Sequence, residues 1–146
     1  MLTLSQRDPR WANMKLGESV CTVGRYGCLI TGISMFLDYF GRYKDPGLLA
    51  SILEFTKDGL ILWGSLHRVG LKLDKRGYGR NDSDIQAALK NPATVCILQV
   101  QGNHWVLATG KRLLGGYNIA DPWFGDRSTT GRYGNSITGY AIISKQ

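Results

Sequence analysis

Cysteine, histidine and acidic residues are all scarce in this chain, and each shortage narrows what it can be. Its 146 residues include 3 cysteines and 2 histidines. No CxxC pair occurs, and His67 and His104 lie far apart. The close ligand pairs of a structural zinc site are therefore missing, and neither a metal nor another cofactor is expected. An odd cysteine count leaves at least one thiol without an intrachain partner, and so few cysteines fit synthesis in a reducing compartment. No apolar run approaches the roughly 18 residues of a membrane-spanning helix; the longest, such as Thr94–Val100, are strand-sized. Gln6, Arg7, Asp8 and Arg10 interrupt the first residues, so no signal peptide is expected and synthesis in the cytoplasm is. No repeat or low-complexity tract is present, which excludes collagen, coiled-coil and mucin-like classes.

What remains is a globular chain with 43% hydrophobic residues, too many for a disordered tail. Length and the absence of a linker predict one domain over residues 1–146. Lys and Arg outnumber Asp and Glu by 18 to 11, a net charge of +7. That balance favours anionic partners: nucleic acid, anionic cell-wall polymers or acidic lipid headgroups. The densest basic cluster, at 72–80, holds Lys72, Lys75, Arg76 and Arg80 around Tyr78. An aromatic in a basic loop can stack on a base, but the reading adopted is a solvated loop, and no nucleic-acid partner is expected.

Residues 1–27 read as an irregular arm. From Cys28 onward, Leu29, Ile30, Ile33, Phe36, Leu37 and Phe40 follow helical spacing, with Gly41 as the stop. Asp45-Pro46 reads as a cap and first-turn proline for a second helix. A third helix is expected over 60–69, closed by Gly70. A fourth is announced by the capping-box pattern Ser83-Asp84-Ile85-Gln86. Strands follow at Thr94–Val100, 104–109, 117–120 and 137–144. Helices first and strands second predict an α+β fold, with N-terminal helices packed on a C-terminal antiparallel sheet.

Three residues carry candidate chemistry. Cys28 starts the first helix, where unpaired N–H groups and the helix dipole favour an anion, and a thiol so placed ionises more readily. Gly27 before it suggests close approach of a substrate to the backbone. Position alone also fits a small buried side chain. His104 opens a strand after a Gly-Asn turn, where its imidazole can serve as base to a thiol. Asp121 ends a short strand before Pro122-Trp123, where it can fix the imidazole tautomer. A helical cysteine followed by histidine and aspartate on strands is the papain-type layout.

Further residues extend this pattern. Gln6-Arg7-Asp8-Pro9-Arg10-Trp11, Gly24-Arg25-Tyr26-Gly27-Cys28-Leu29-Ile30-Thr31, Ser34-Met35 and Tyr39-Phe40-Gly41 resemble the papain-like double-glycine (bacteriocin-processing) peptidase superfamily, in its stand-alone branch. Asn103-His104-Trp105-Val106-Leu107 and Ala120-Asp121-Pro122-Trp123 resemble its two later motifs. The resemblance implies a papain-like cysteine peptidase fold, with Cys28 as nucleophile, His104 as base and Asp121 as its orienting acid. It places Gln6 in the oxyanion hole beside the Cys28 N–H, with Asn103 as the alternative donor. Leu29-Ile30 stand where many relatives have Gly-Pro. No segment resembles an ATP-binding cassette or a membrane span, so an exporter role is not implied.

The expected function is amide hydrolysis in a protein or in bacterial peptidoglycan, by a monomer, with release to the cell wall by a phage or another export route. The alternative is a papain-like binding module that has lost activity. Trp105 and Trp123 neighbour the candidate triad and are subsite candidates; Trp63 is expected in the core and His67 on the surface. Cys21 lies close enough in sequence to Cys28 for a regulatory disulfide to be considered.

Overall fold

Nine buried residues, among them Ile30, Ile33, Phe36 and Leu37, draw α2 (Cys28–Tyr39) into the protein interior. The computed structural model describes residues 1–146. The helix ends at Phe40, and Gly41 turns the chain away at φ +72°. A single helical turn, α1 (Val23–Tyr26), precedes it within the arm expected to be irregular. Gly27 separates the two. A Cβ there would lie 2.5 Å from the Val23 carbonyl oxygen. Its bare face is therefore filled by α1 rather than left open to a substrate, as the sequence suggested.

Helix α3 (Pro46–Ile52) begins as expected: the Asp45 side chain accepts the Leu48 N–H at 2.7 Å. The third helix is shorter and tighter than expected, a 3₁₀ helix over Trp63–Val69 closed by Gly70 at φ +73°. Ile61 is committed to a bridge with Phe55. Inside the helix, the Ser65 hydroxyl donates to the Leu62 carbonyl at 2.7 Å, and His67 Nδ1 lies 2.7 Å from the Gly64 oxygen. These three-residue contacts favour the tighter winding.

Six antiparallel strands form one sheet in the order β1-β6-β2-β3-β4-β5. They are β1 (Leu71–Tyr78), β2 (Thr94–Val100), β3 (His104–Lys111), β4 (Tyr117–Asp121), β5 (Asp126–Thr129) and β6 (Ile137–Lys145). The basic cluster read as a loop is thus edge strand β1, paired with β6 from Leu71 to Tyr78. Lys75 is exposed and lies 2.5 Å from Asp84, Arg80 just beyond the strand lies 3.0 Å from Asp82, and Arg76 is half-buried over the Trp105 ring at 4.8 Å. Their polarity hid the strand. The short polar edge strand β5 escaped for the same reason. Because β1 precedes α4 (Asp82–Lys90), helices and strands are not cleanly separated along the chain, though the α+β class holds.

The cap of α4 is Asn81, whose side chain accepts the Asp84 N–H at 3.1 Å, two residues before the expected Ser83. This frees Asp82 and Asp84 to accept the Tyr117 and Tyr140 hydroxyls at 2.6 and 2.7 Å. Both faces of the sheet are covered. Val95, Ile97 and Leu107 join the core around α2, while Cys96, Leu98, Val100 and Val106 pack with Ile85 and Ala88 of α4. The alternation along β2 and β3 follows the two-residue strand period. Each such aliphatic side chain contributes about 1.5–3 kcal/mol on burial.

Candidate active site

Cys28 is the first residue of α2 and is 8% exposed. The first N–H of α2 to find a backbone carbonyl is that of Thr31, on Gly27 at 3.0 Å. The N–H groups of Cys28, Leu29 and Ile30 precede the ladder, as they must at a helix start. His104 is placed by the β2–β3 turn, where Gln101 and Gly102 both have positive φ. The Thr138 hydroxyl accepts the Gly102 N–H at 3.0 Å, and Gln99 Nε2 donates to the Gly102 carbonyl at 3.1 Å. Pairing of Leu107 with Ala120 then sets Asp121 beside the start of β3.

The result is a saturated carboxylate. His104 Nε2 donates to Asp121 Oδ1 at 2.8 Å, and the Trp123 N–H donates to the same oxygen at 3.0 Å. Oδ2 accepts from Arg132 Nη1 at 3.0 Å and from the Tyr133 hydroxyl. Asp121 is fully buried. Burial pushes its pKa up, but the His104, Tyr133 and Arg132 donors outweigh it and hold the pKa at about 2. For His104, burial pushes the pKa down, and hydrogen bonding to Asp121 and Cys28 outweighs it, raising the pKa to about 9. With Nε2 committed to Asp121, Nδ1 is the nitrogen left for the thiol.

Gln6, far upstream in sequence, is brought to the same cleft. Its N–H donates to the Pro122 carbonyl at 2.8 Å, and Trp11 Nε1 donates to Ser5 at 2.8 Å, which folds the arm back. The Gln6 side chain is 1% exposed. Its Nε2 donates one proton to the Gly24 carbonyl at 3.2 Å, leaving a second free, and its Oε1 has no partner. Gln6, Cys28 and His104 line a cleft of about 510 Å³, with Trp105, Trp123 and Tyr133 on its walls. Asn103 also lines it, but is exposed, and its N–H returns to Val100 at 3.3 Å as part of the turn.

Trp105 packs edge-on against Trp63 at 6.2 Å, and Arg7 stacks over Trp123 at 4.5 Å. His67 is exposed on the 3₁₀ helix. All three cysteines are free thiols, so no Cys21–Cys28 disulfide is formed; Cys21 Sγ lies 3.3 Å from the Asp58 carbonyl. Cys96 is sealed in β2, and burial pushes its pKa up to about 12. No group of three or more His, Cys, Asp or Glu side chains is arranged to hold a metal.

Sequence reasoning missed Arg132 and Tyr133. Both lie on a second 3₁₀ helix, Thr130–Tyr133, closed by Gly134 at φ +63°. Arg132 also grips Asp126 through two contacts of 2.8 Å. Their only trace in the sequence is a pair of glycines bracketing an Arg-Tyr step.

No protein-family model matches the chain, and no curated protein sequence matches it. Solved structures do, and they define the class of fold: it is that of peptidase C39-like domains. One similar structure is the N-terminal peptidase C39-like domain of the toxin secretion ATP-binding protein from Vibrio parahaemolyticus, with a TM-score of 0.58 and 16% identity over 82% of this chain and 96% of that one. Another is the peptidase domain of Streptococcus ComA, a bifunctional ABC transporter involved in a quorum-sensing pathway, with a TM-score of 0.58 and 14% identity over 83% of this chain and 93% of that one. These likenesses agree with the resemblance read from the motifs. No helix of this protein is long and apolar enough to cross a membrane.

Proposed function

We propose that this protein is a cysteine hydrolase that cleaves an amide bond in a peptide or in peptidoglycan. The observation that carries the reading is His104, 2.8 Å from the buried Asp121 carboxylate and in one cleft with a thiol at a helix start. With the Cys28 proton on His104 Nδ1, where the raised pKa of the imidazole holds it, the sulfur attacks the carbonyl carbon. The oxyanion that forms is met by the Cys28 N–H and the free proton of Gln6 Nε2, each such donor being worth about 3 kcal/mol. His104 then protonates the departing amine, leaving a thioester. A water attacks it, His104 accepts the water proton and returns it to the sulfur, and the carboxylic acid leaves. Asp121 keeps Nε2 protonated throughout, so that Nδ1 is the exchanging nitrogen.

The net charge of +7 supports a polyanionic substrate or a polyanionic surface around it, as in a cell wall. A lysin acting there, whether carried by a phage or otherwise released, is the form of this reading with most support from the charge. Incubation with purified peptidoglycan and with a generic protein substrate, each beside Cys28→Ala, tests it. Products identified by mass are expected only with the unsubstituted protein. Undiminished cleavage by a folded Cys28→Ala variant would refute the assignment.

A further inference from the structure

The hairpin joining β3 to β4 presents the two most exposed large apolar side chains of the molecule, Leu113 at 99% and Leu114 at 92%. Nothing in the cleft uses them. The turn is built rather than loose: the Arg112 N–H donates to Gly116 at 3.1 Å, the Gly115 N–H returns to Arg112 at 3.3 Å, and both glycines have positive φ. Leucines at such a tip cost solubility without contributing to the core, which marks a contact surface.

The surroundings say what the contact is. His104 opens β3 at the cleft and Lys111 closes it; eight residues at about 3.3 Å each put the tip roughly 25 Å from the cleft. Strands β2 and β6 are antiparallel, pairing Thr94 with Ser144, so β6 ends where β2 begins. β3 in turn runs antiparallel to β2, and it ends at that same edge. Lys145 therefore lies at the same end of the sheet as Lys111 and Arg112, and Lys90 closes α4 just before β2. None of Lys90, Lys111, Arg112 and Lys145 forms an ion pair, although Lys145 lies over the Phe40 ring at 5.2 Å. Two acids approach this end and both are met by other groups: Asp74 by Lys72 at 3.8 Å, and Asp82, which faces Lys111, by Arg80 at 3.0 Å and by the Tyr117 hydroxyl at 2.6 Å. An apolar tip framed by unpaired cations complements a bilayer with anionic headgroups: leucines enter the acyl boundary while Lys and Arg stay with the phosphates.

We infer that this pole of the molecule docks on an anionic lipid surface through Leu113 and Leu114, holding the cleft away from the bilayer. Attachment is weak and reversible, since two side chains and a few charges anchor it. Flotation with phosphatidylcholine vesicles, with and without about a third phosphatidylglycerol, tests it at low and high salt. Binding to the anionic vesicles alone, weakened by salt, is expected. It should fall at least tenfold in a folded L113S/L114S variant and roughly fivefold for each cation removed in K111Q/R112Q. Equal binding by L113S/L114S and the unsubstituted chain overturns the inference, because charge alone then accounts for adsorption. So does an absence of binding at low salt. So does a dimer in sedimentation that L113S/L114S abolishes, since the tip then meets a second copy. Cleavage activity of L113S/L114S on a soluble substrate should be unchanged, so failure here is separable from failure of the proposed hydrolysis.

Discussion

Replacing Asp121 by Asn leaves its shape and removes its charge, and the surroundings turn that small change into a large one. Every group around this carboxylate is a donor: His104 Nε2, the Trp123 N–H, Arg132 Nη1 and the Tyr133 hydroxyl. An asparagine must point its own NH₂ at two of them. Turned toward Arg132 and Tyr133, it opposes the guanidinium. Turned toward His104 and Trp123, it opposes a fixed backbone N–H and drives the imidazole proton onto Nδ1, where it blocks proton transfer from Cys28. Either way the base is compromised, and loss of a positioned base costs about 10²–10⁴ in rate.

Stability falls as well. The folded-state pKa of Asp121 is lowered from 3.8 to about 2, which corresponds to about 2 kcal/mol. Because it is depressed, that stabilisation is complete above pH 4 and lost as pH falls toward 2. Asp121→Asn should therefore unfold about 4–8 °C below the unsubstituted chain at neutral pH, with the gap narrowing in acid. Turnover in the peptidoglycan and protein-substrate assays, iodoacetamide labelling of Cys28, and thermal melts at pH 7 and pH 3 are the measurements. A variant that keeps more than about a tenth of the rate refutes the orientation argument. A gap in melting temperature that does not narrow in acid refutes the charge argument.

The other expectations concern separate groups. Gln6→Ala should lower kcat about 10²–10³-fold with little change in KM, as for loss of one oxyanion donor, and a folded variant with full kcat would remove Gln6 from that role. Stabilisation by His104, whose folded pKa is raised from 6.5 to about 9, should be complete below pH 6.5 and disappear as pH rises through 9; urea unfolding should show this slope in the unsubstituted chain and not in His104→Gln. Because Cys28 is one of the two partners that raise that pKa, a nuclear magnetic resonance titration of the imidazole should shift to lower pH in Cys28→Ala. Gly27→Ala brings a methyl group to 2.5 Å from the Val23 oxygen. It should cost at least about 1–3 kcal/mol in a denaturation experiment and slow cleavage by displacing Cys28. Iodoacetamide should label Cys28 far faster than Cys96; slow and equal labelling of both would favour a binding module over a hydrolase.

The residues proposed to do the chemistry were readable in the sequence because chemistry restricts residue type and the elements beneath them have strong periodicity. Cys28 follows a glycine at the head of an apolar helical pattern, and His104 stands between a turn and an apolar strand. Both signals are local. Gln6 and Cys28 share no local signal; hydrogen bonds between distant segments, among them the Gln6 N–H on Pro122 and the Gln6 amide on Gly24, bring them together. The same holds for β1: its outward cations imitate a solvated loop until Asp84 on α4 is in place to receive Lys75.

Arg132 and Tyr133 take this furthest. Read alone, they are a charged and an aromatic residue between glycines, typical of a turn. Their role exists only because β4 delivers a buried carboxylate to the same spot, and a buried charge is tolerable only when its lone pairs are met. Asp121 therefore needed more donors than His104 could supply. Counting the hydrogen bonds a buried aspartate requires predicts that such partners exist, although not where in the chain they lie. The proposed triad is thus one part of a larger hydrogen-bonded cluster around Asp121. The rest of that cluster sets how firmly the imidazole is held, and Tyr133→Phe and Arg132→Gln should move the acid limb of the pH–rate profile while leaving the order of chemical steps intact.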